Sequence, residues 1–367
     1  MKKLTLLITA LLVVLPLSPA QGVGSIVRIT SEAHQTFTGE FRNDELAQEL
    51  TPAGVLGALI YTPRSKNTTW VIDAALIDEV ITMSGDYTVA TDAEPVGQEI
   101  AVAWLDKLRQ VTTGQQVVAL AYGNPDVVLA KRLAPSELKS YYAFGKSQLE
   151  IALGRTVRSE PNGGWSKGKS GLSNTLRKAY GDNRKALTRL SRVVDDPELI
   201  TLRAQLSKLL SPQLDKESRE FFSDSARASV DATVRKLRIN NGNYQITTSR
   251  VKLPVTVINE FNSDVKVDIS MLPINSRVIV GSFVGITIPA KSKTQVEMAV
   301  KVIAPGQTTV TAQITDSKSN NIGPEAILNL NSTVIDQRVA WFTTSAAILL
   351  LLAGVAQSVR RVRRRVT

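Results

Sequence analysis

The 367-residue chain has no cysteine, one histidine and few aromatic residues, with Trp, Tyr and Phe making up 5%. Without cysteine there is no disulfide scaffold, thiolate metal site or cysteine nucleophile. A lone His34 cannot supply the three or four ligands of a zinc site, so no metal and no cofactor are expected. Acidic residues are the scarcer charge, 33 against 44 basic. That imbalance would suggest nucleic acid were it not concentrated at the two ends. Setting aside Lys2, Lys3 and the five arginines at 360, 361 and 363–365 leaves 37 basic residues against 33 acidic, so nucleic acid is not an expected partner.

The ends read as topology signals. Lys2 and Lys3 precede an uncharged run, Leu4 to Leu15, and Ser18-Pro19-Ala20 supplies small residues at signal-peptidase spacing, so residues 1–20 are expected to be a signal peptide. Residues 339–359 carry no charge and would span roughly 30 Å as a helix, the hydrocarbon thickness of a bilayer. Trp341 sits where an interfacial aromatic would anchor, and Arg360, Arg361, Arg363, Arg364 and Arg365 follow as a basic cytoplasmic flank in the tail 360–367. The expectation is a single-pass protein of the cell membrane, N-terminus outside and short tail in the cytoplasm.

Between the ends the hydropathy period changes twice. After a lead-in at 21–39, residues 40–180 alternate short apolar runs with helical patterns, as strands and helices of a parallel sheet do. The clearest strands are Trp70-Val71-Ile72 and the run Gln116 to Tyr122; between them Ile100, Ala103, Trp104, Leu108 and Val111 share one helix face. Residues 181–238 read as helix, with Asp196 as N-cap, Pro197 at N1 and a second helix from about Ser218 to Leu237. From 239 to 336 the period becomes two. Val265, Val267 and Ile269 alternate with Lys266, Asp268 and Ser270, and turn clusters separate about seven strands, as in an immunoglobulin-like β-sandwich. The expected architecture is therefore α+β and multidomain: a reduced, barrel-like α/β domain, a helical segment, a sandwich acting as a stalk, and one transmembrane helix.

Several segments together resemble a known family: Asn43-Asp44-Glu45-Leu46-Ala47, Thr69 to Leu76, Ala103-Trp104-Leu105, Ala119 to Asp126 and Asn243 to Ser249. They are similar to an actinobacterial family of exported, single-pass membrane proteins of unknown function, often encoded beside the lipid II flippase gene. Typical members are longer, with an extra N-terminal β-sandwich and more α/β, and carry an acid where this chain has Asn124. The resemblance implies a cell-envelope role and supplies no reaction.

Asp73 follows the first clear strand and Asp126 the second, so both should lie on the carboxyl rim of the sheet, where α/β folds keep their sites. A carboxylate pair there would suit glycosidic-bond hydrolysis, with Tyr122 and Trp165 as sugar-stacking surfaces. Helix capping is the simpler account: Asp73 precedes a helix, and Asn124-Pro125-Asp126 reads as N-cap, N1 and N2 of the next. His34 reads as a surface residue of the lead-in, and the glycines at 163, 164, 168 and 171 as a mobile loop matching no phosphate-binding motif. Residues 155–192 carry ten basic side chains and two acids; they could face anionic lipid or wall polymer, but a solvated helix face neutralised by the acid-rich residues 21–154 is preferred. The expected function is a non-enzymatic, membrane-anchored, extracytoplasmic envelope protein, a binding or scaffold component linked to cell-wall synthesis. Its expected partners are the lipid bilayer and a wall glycan or a wall-synthesis membrane protein. The alternative is a metal-independent glycan hydrolase using Asp73 and Asp126.

Overall fold

The computed structural model describes residues 24–90, 94–161, 164–333 and 337–363. The expected signal peptide, residues 1–20, lies outside them, as do Arg364 and Arg365. Four short strands, β1 (Ile26–Ile29), β2 (Thr69–Ile72), β3 (Gln116–Ala119) and β4 (Arg158–Ser159), form an all-parallel sheet in sequential order. Each crossover carries two helices: α1 (Glu45–Leu50) and α2 (Val55–Tyr61), then α3 (Ala74–Met83) and α4 (Gln98–Thr112), then α5 (Val127–Leu133) and α6 (Pro135–Leu153). Sequential parallel order with helical crossovers is the construction of half an eight-stranded barrel.

The strands are apolar on both faces because both are covered. Outward, Ile29, Trp70, Ile72 and Ala119 pack against Leu46, Leu56, Val80 and Trp104 of the crossover helices. Each such large side chain contributes about 1.5–3 kcal/mol by leaving water. Inward, Val71, Val118 and Leu120 are buried with Trp165 packed on them. β1 begins inside the stretch expected to be a mere lead-in; it is too short and mixed, Ile-Val-Arg-Ile, to show a period of its own.

Helices α7 (Asn174–Leu190), α8 (Pro197–Gln205), a 3-10 turn (Leu206–Leu210) and α9 (Lys216–Arg235) follow. Asp196 caps α8 through the Glu198 N–H with Pro197 in the first turn, as its sequence indicates, and Asp215 caps α9 through the Ser218 N–H.

Among the described residues nine strands, rather than about seven, make the β-sandwich. One sheet has the order β10 (Phe283–Ile288), β8 (Val265–Pro273), β12 (Gly306–Thr315), β13 (Asn321–Ser332), β6 (Gly242–Ile246); the other has β5 (Leu237–Ile239), β7 (Arg250–Asn259), β11 (Ser292–Val302), β9 (Val278–Val280). Pairing is antiparallel except between β13 and β6. A single apolar core runs from Tyr141 and Tyr180 through Leu187, Leu206 and Phe222 into Val255, Ile269 and Leu328. The sandwich is thus packed against the helices as part of the body, and is not a free stalk.

The last helix, α10 (Gln337–Arg363), corrects the expected membrane span. Among the described residues no helix is long and apolar enough to cross a membrane. Absence of charge over 339–359 is a weaker property than sustained apolarity. The unbroken apolar part is Ala346 to Ala356, bracketed by Thr343-Thr344-Ser345 and Gln357-Ser358, and extends about 16 Å against the roughly 30 Å required. The transmembrane element of the expected fold class and the single-pass membrane localisation, with Trp341 as anchor and Arg360 to Arg365 as cytoplasmic flank, are therefore not supported. Trp341 is exposed on this helix.

Candidate functional site

The carboxyl ends of β1, β2 and β3 converge under the 3-10 turn, and a cluster of buried ionisable groups lies there. The chain leaves β2 directly into α3 through Asp73, whose Oδ1 accepts from the Ala75 N–H at 3.0 Å and the Gly123 N–H at 2.9 Å. The second bond draws the β3 exit loop onto the start of α3, where the loop also lies against the 3-10 turn. Gly123 makes that possible: it has φ +73°, and a Cβ there would stand 2.8 Å from the Lys208 nitrogen and the Ser207 Oγ. Ser207 Oγ donates to the Tyr122 carbonyl and, at 2.6 Å, to the Ala204 carbonyl, fastening the turn over the rim.

Beneath it, Lys208 Nζ bonds to Glu79 Oε1 at 2.9 Å and to the Gln35 carbonyl at 3.1 Å, over the Phe37 ring. Glu79 Oε2 accepts the His34 N–H at 2.9 Å. His34 is 3% exposed, with Nε2 3.7 Å from Glu49 Oε2, which also accepts from Ser31 Oγ at 2.8 Å. The expected surface histidine is therefore interior, in a loop held by the acids of α1 and α3.

Electrostatics follow from the burial. Desolvation pushes the Asp73 carboxyl up to about 7 against its two N–H donors, with the charges of Glu79 and Asp78 adding to the rise. Burial likewise raises Asp78 to about 6, opposed by the Tyr122 hydroxyl, which donates to it at 2.9 Å, and by the Lys208 charge. Burial alone would lower His34, but the Glu49 hydrogen bond and the charges of Glu79, Glu49 and Glu32 outweigh it and hold the imidazole above its usual value.

The residues singled out from sequence are placed as follows. Asp126, not Asn124, is the N-cap of α5: its Oδ1 accepts from the Val128 and Leu129 N–H groups, and its Oδ2 from the Ser170 N–H at 2.9 Å. Asn124 precedes it at φ +41° and donates to Gln213 Oε1. The Tyr122 ring is buried edge-on against Phe144. Trp165 is half-buried on the inner face of the sheet, and its Nε1 donates to Glu160 at 2.8 Å. The cavity among Asp73, Glu79, Gly123 and Lys208 measures about 10 Å³, room for one water. Among the described residues no group of three or more acids and histidines is disposed to hold a metal ion.

Much of the basic stretch 155–192 is used internally. Arg155 donates to the Gln115 and Thr112 carbonyls, Arg158 pairs with Glu160, Lys178 with Asp182, and Arg192 with Asp316 of the sandwich. Sequence reasoning missed Glu79, Lys208 and the interior position of His34. The available signal was a lysine interrupting the leucine run Leu206 to Leu210.

Residues 164–365 match the model of a family of unknown function, DUF6049. The chain belongs to that family. The match takes in α7, the remaining helices, the 3-10 turn with Ser207 and Lys208, and the sandwich, and leaves the half-barrel strands and the rim residues Asp73, Glu79 and Asp126 outside it. No curated protein matches the chain. Among solved structures, WR4, an MSP family member of C. elegans, is similar at 12% identity over 27% of this chain and 98% of that one, with a TM-score of 0.21. PapD-like domain 7 of human CEP192 is similar at 12% identity over 28% and 88%, with a TM-score of 0.22. The secreted serine protease VesC from Vibrio cholerae is similar at 14% identity over 29% and 25%, with a TM-score of 0.23. At these scores the likenesses carry no argument about this family member.

Proposed function

We propose that this DUF6049 protein is a non-enzymatic binding or scaffold component of the cell envelope, linked to cell-wall synthesis. The observation that carries the non-enzymatic part is the state of the rim. Asp73 and Asp126 each hold two or three backbone N–H groups, Tyr122 and Asp78 satisfy one another, and the space between Asp73 and Lys208 admits one water. These are bonds that fasten a loop, two helix starts and a covering turn. The envelope part rests on the sequence resemblance, which also carries the actinobacterial origin and the neighbouring flippase gene as proposals. The test is crosslinking in living cells with the tagged full-length chain, followed by mass spectrometry. Enrichment of a flippase or another wall-synthesis protein supports the reading; a capture profile equal to that of an unrelated tagged control removes it.

One observation favours the hydrolase alternative: Asp73, held near 7, has the protonation behaviour of a general acid. Turnover of wall glycan by the full chain, abolished in the Asp73→Asn, Asp126→Asn double variant, would establish it. Turnover unchanged in that variant would dismiss it.

A further inference from the structure

The outer face of the larger sandwich sheet, away from the rim, carries an arrangement that the scaffold reading does not use. Strands β6, β13 and β12 lie side by side there, and their outward residues align in two rows across the strands. Asn243, Asn329 and Thr309 make one row; Gln245, Asn331 and Gln307 make the next. All six are exposed or half-buried, none is charged, and each ends in an amide or a hydroxyl. They border a cleft of about 450 Å³, within the usual range of ligand pockets, with the exposed Ile274 at its side.

The first row is internally ordered: Thr309 Oγ1 donates to Asn329 Oδ1 at 3.3 Å, and Asn329 Nδ2 donates to Asn243 Oδ1 at 2.9 Å. The second row's three amides bond to no other described residue, so their donors and acceptors are open to a ligand. The lining of the cleft carries no charge; Lys266, Asp268 and Glu325 stand elsewhere on the same face, and the outer face of the opposite sheet presents Arg250, Lys252, Lys293, Glu297 and Lys301.

We infer that this cleft binds an uncharged oligosaccharide. A sugar hydroxyl both donates and accepts, and a primary amide offers both functions side by side, so neighbouring hydroxyls of one ring can bond to a single Asn or Gln. A lining with no charge gives no ion pairing to phosphate- or uronate-bearing polymers, nor to a charged peptide. Strands about 4.8 Å apart set the three columns of each row over roughly 10 Å, a length on the scale of two linked sugar rings. Ile274 supplies an apolar patch for the C–H face of a ring. Strand backbones fix the points from which the amides project, and the first row's hydrogen bonds hold its side chains in place before binding.

The inference concerns a different surface from the rim and deepens the binding reading without depending on its protein partner. Calorimetric titration of the full-length chain with the β-linked tetramers of N-acetylglucosamine and of glucose, beside the anionic galacturonic acid tetramer, tests it. The expected result is saturable binding of at least one uncharged tetramer, the same at low and high salt. The Asn329→Ala, Gln245→Ala double variant, confined to exposed side chains, should weaken that binding about tenfold or more, close to 1.4 kcal/mol, with an unchanged melting temperature. The inference is overturned by absence of binding for both uncharged tetramers, by equal binding in the double variant, by preference for the anionic tetramer, or by a sedimentation result showing the cleft closed by a second copy. Failure of the crosslinking experiment leaves this result standing, and the converse also holds.

Discussion

Lys208 Nζ and Glu79 Oε1 stand 2.9 Å apart, 129 residues distant in the chain and both about 95% buried. The pair ties the covering turn to α3 and, through Glu79 and the His34 N–H, to the loop after β1. Removing one partner leaves a buried charge without compensation, which costs about 3–5 kcal/mol. Lys208→Met should therefore lower the urea midpoint strongly. Adding Glu79→Leu should restore part of the loss, leaving about 1–3 kcal/mol for the orphaned His34 N–H. A Lys208→Met midpoint equal to wild type would mean that the turn is held without the ion pair.

The pH dependence of stability has a definite sign. Asp73 is raised from 3.8 to about 7 and Asp78 to about 6, so between pH 4 and 7 the unfolded chain ionises these groups while the folded chain keeps them protonated. Stability falls over that window as pH rises. His34, also raised, adds in the same direction: its contribution is full below its unfolded value and is lost as pH passes its folded value. Below pH 4 the opposite group acts, because Asp316 and Glu49 are lowered and lose their contribution on protonation. Denaturant titrations across pH should show a maximum near pH 4. Asp73→Asn keeps an oxygen for both N–H donors, so it should match wild type at pH 4 and exceed it at pH 8; equal stability at pH 8 would contradict the raised carboxyl.

Legibility of the fold followed locality. The strands at Trp70 and Gln116, helix α4, the Asp196-Pro197 start of α8 and the alternation of β8 and β11 are all set by short-range periodicity or by capping chemistry, and the sequence displays them. β4, two residues long, and β5, three residues long directly after α9, have no period to read. The rim was half legible. Asp73 and Asp126 are recognisable because a cap is a local event, whereas Glu79 looks like any acid on a helix until Lys208 arrives from 129 residues away. His34 sits among Ser31, Glu32, Gln35 and Thr36, polar neighbours that read as solvent-exposed loop. The error over α10 came from counting charges where the threonines, serines and glutamine decide apolarity.

Arg192 and Asp316 join α7 to the turn between β12 and β13 with unequal consequences. Asp316 is 3% exposed at its side chain and accepts from the Lys318 and Asn320 N–H groups, the Asn320 amide and Arg192. These donors hold its carboxyl well below the usual range even though burial alone would raise it. Arg192 is half exposed, so its charge is screened and Arg192→Ala should cost no more than about 1 kcal/mol, less at high salt. Asp316→Ala removes the organiser of the turn and should cost about 2–4 kcal/mol at roughly 1 kcal/mol per bond. Equal losses in the two variants, measured by denaturation, would show the ion pair and not the turn to be the main tie.

Asn259 at the end of β7 gives the sharpest test of the sandwich. It is fully buried, and its Nδ2 serves the carbonyls of Ser263, Ile288 and Pro289 at 2.9–3.2 Å while its Oδ1 accepts the Phe261 N–H at 3.0 Å. One side chain thus closes the turn between β7 and β8 and binds it to the end of β10. Asn259→Asp keeps the shape but removes both donor hydrogens and points a carboxylate at three carbonyl oxygens. Asn259→Ala removes the group and leaves the carbonyls unpaired, at about 1–3 kcal/mol for each that water does not reach. The aspartate variant should therefore be the less stable of the two at pH 7 and should recover toward the alanine variant at pH 4, where protonation returns one donor. An aspartate variant as stable as wild type at pH 7 would mean that the three carbonyls have another partner.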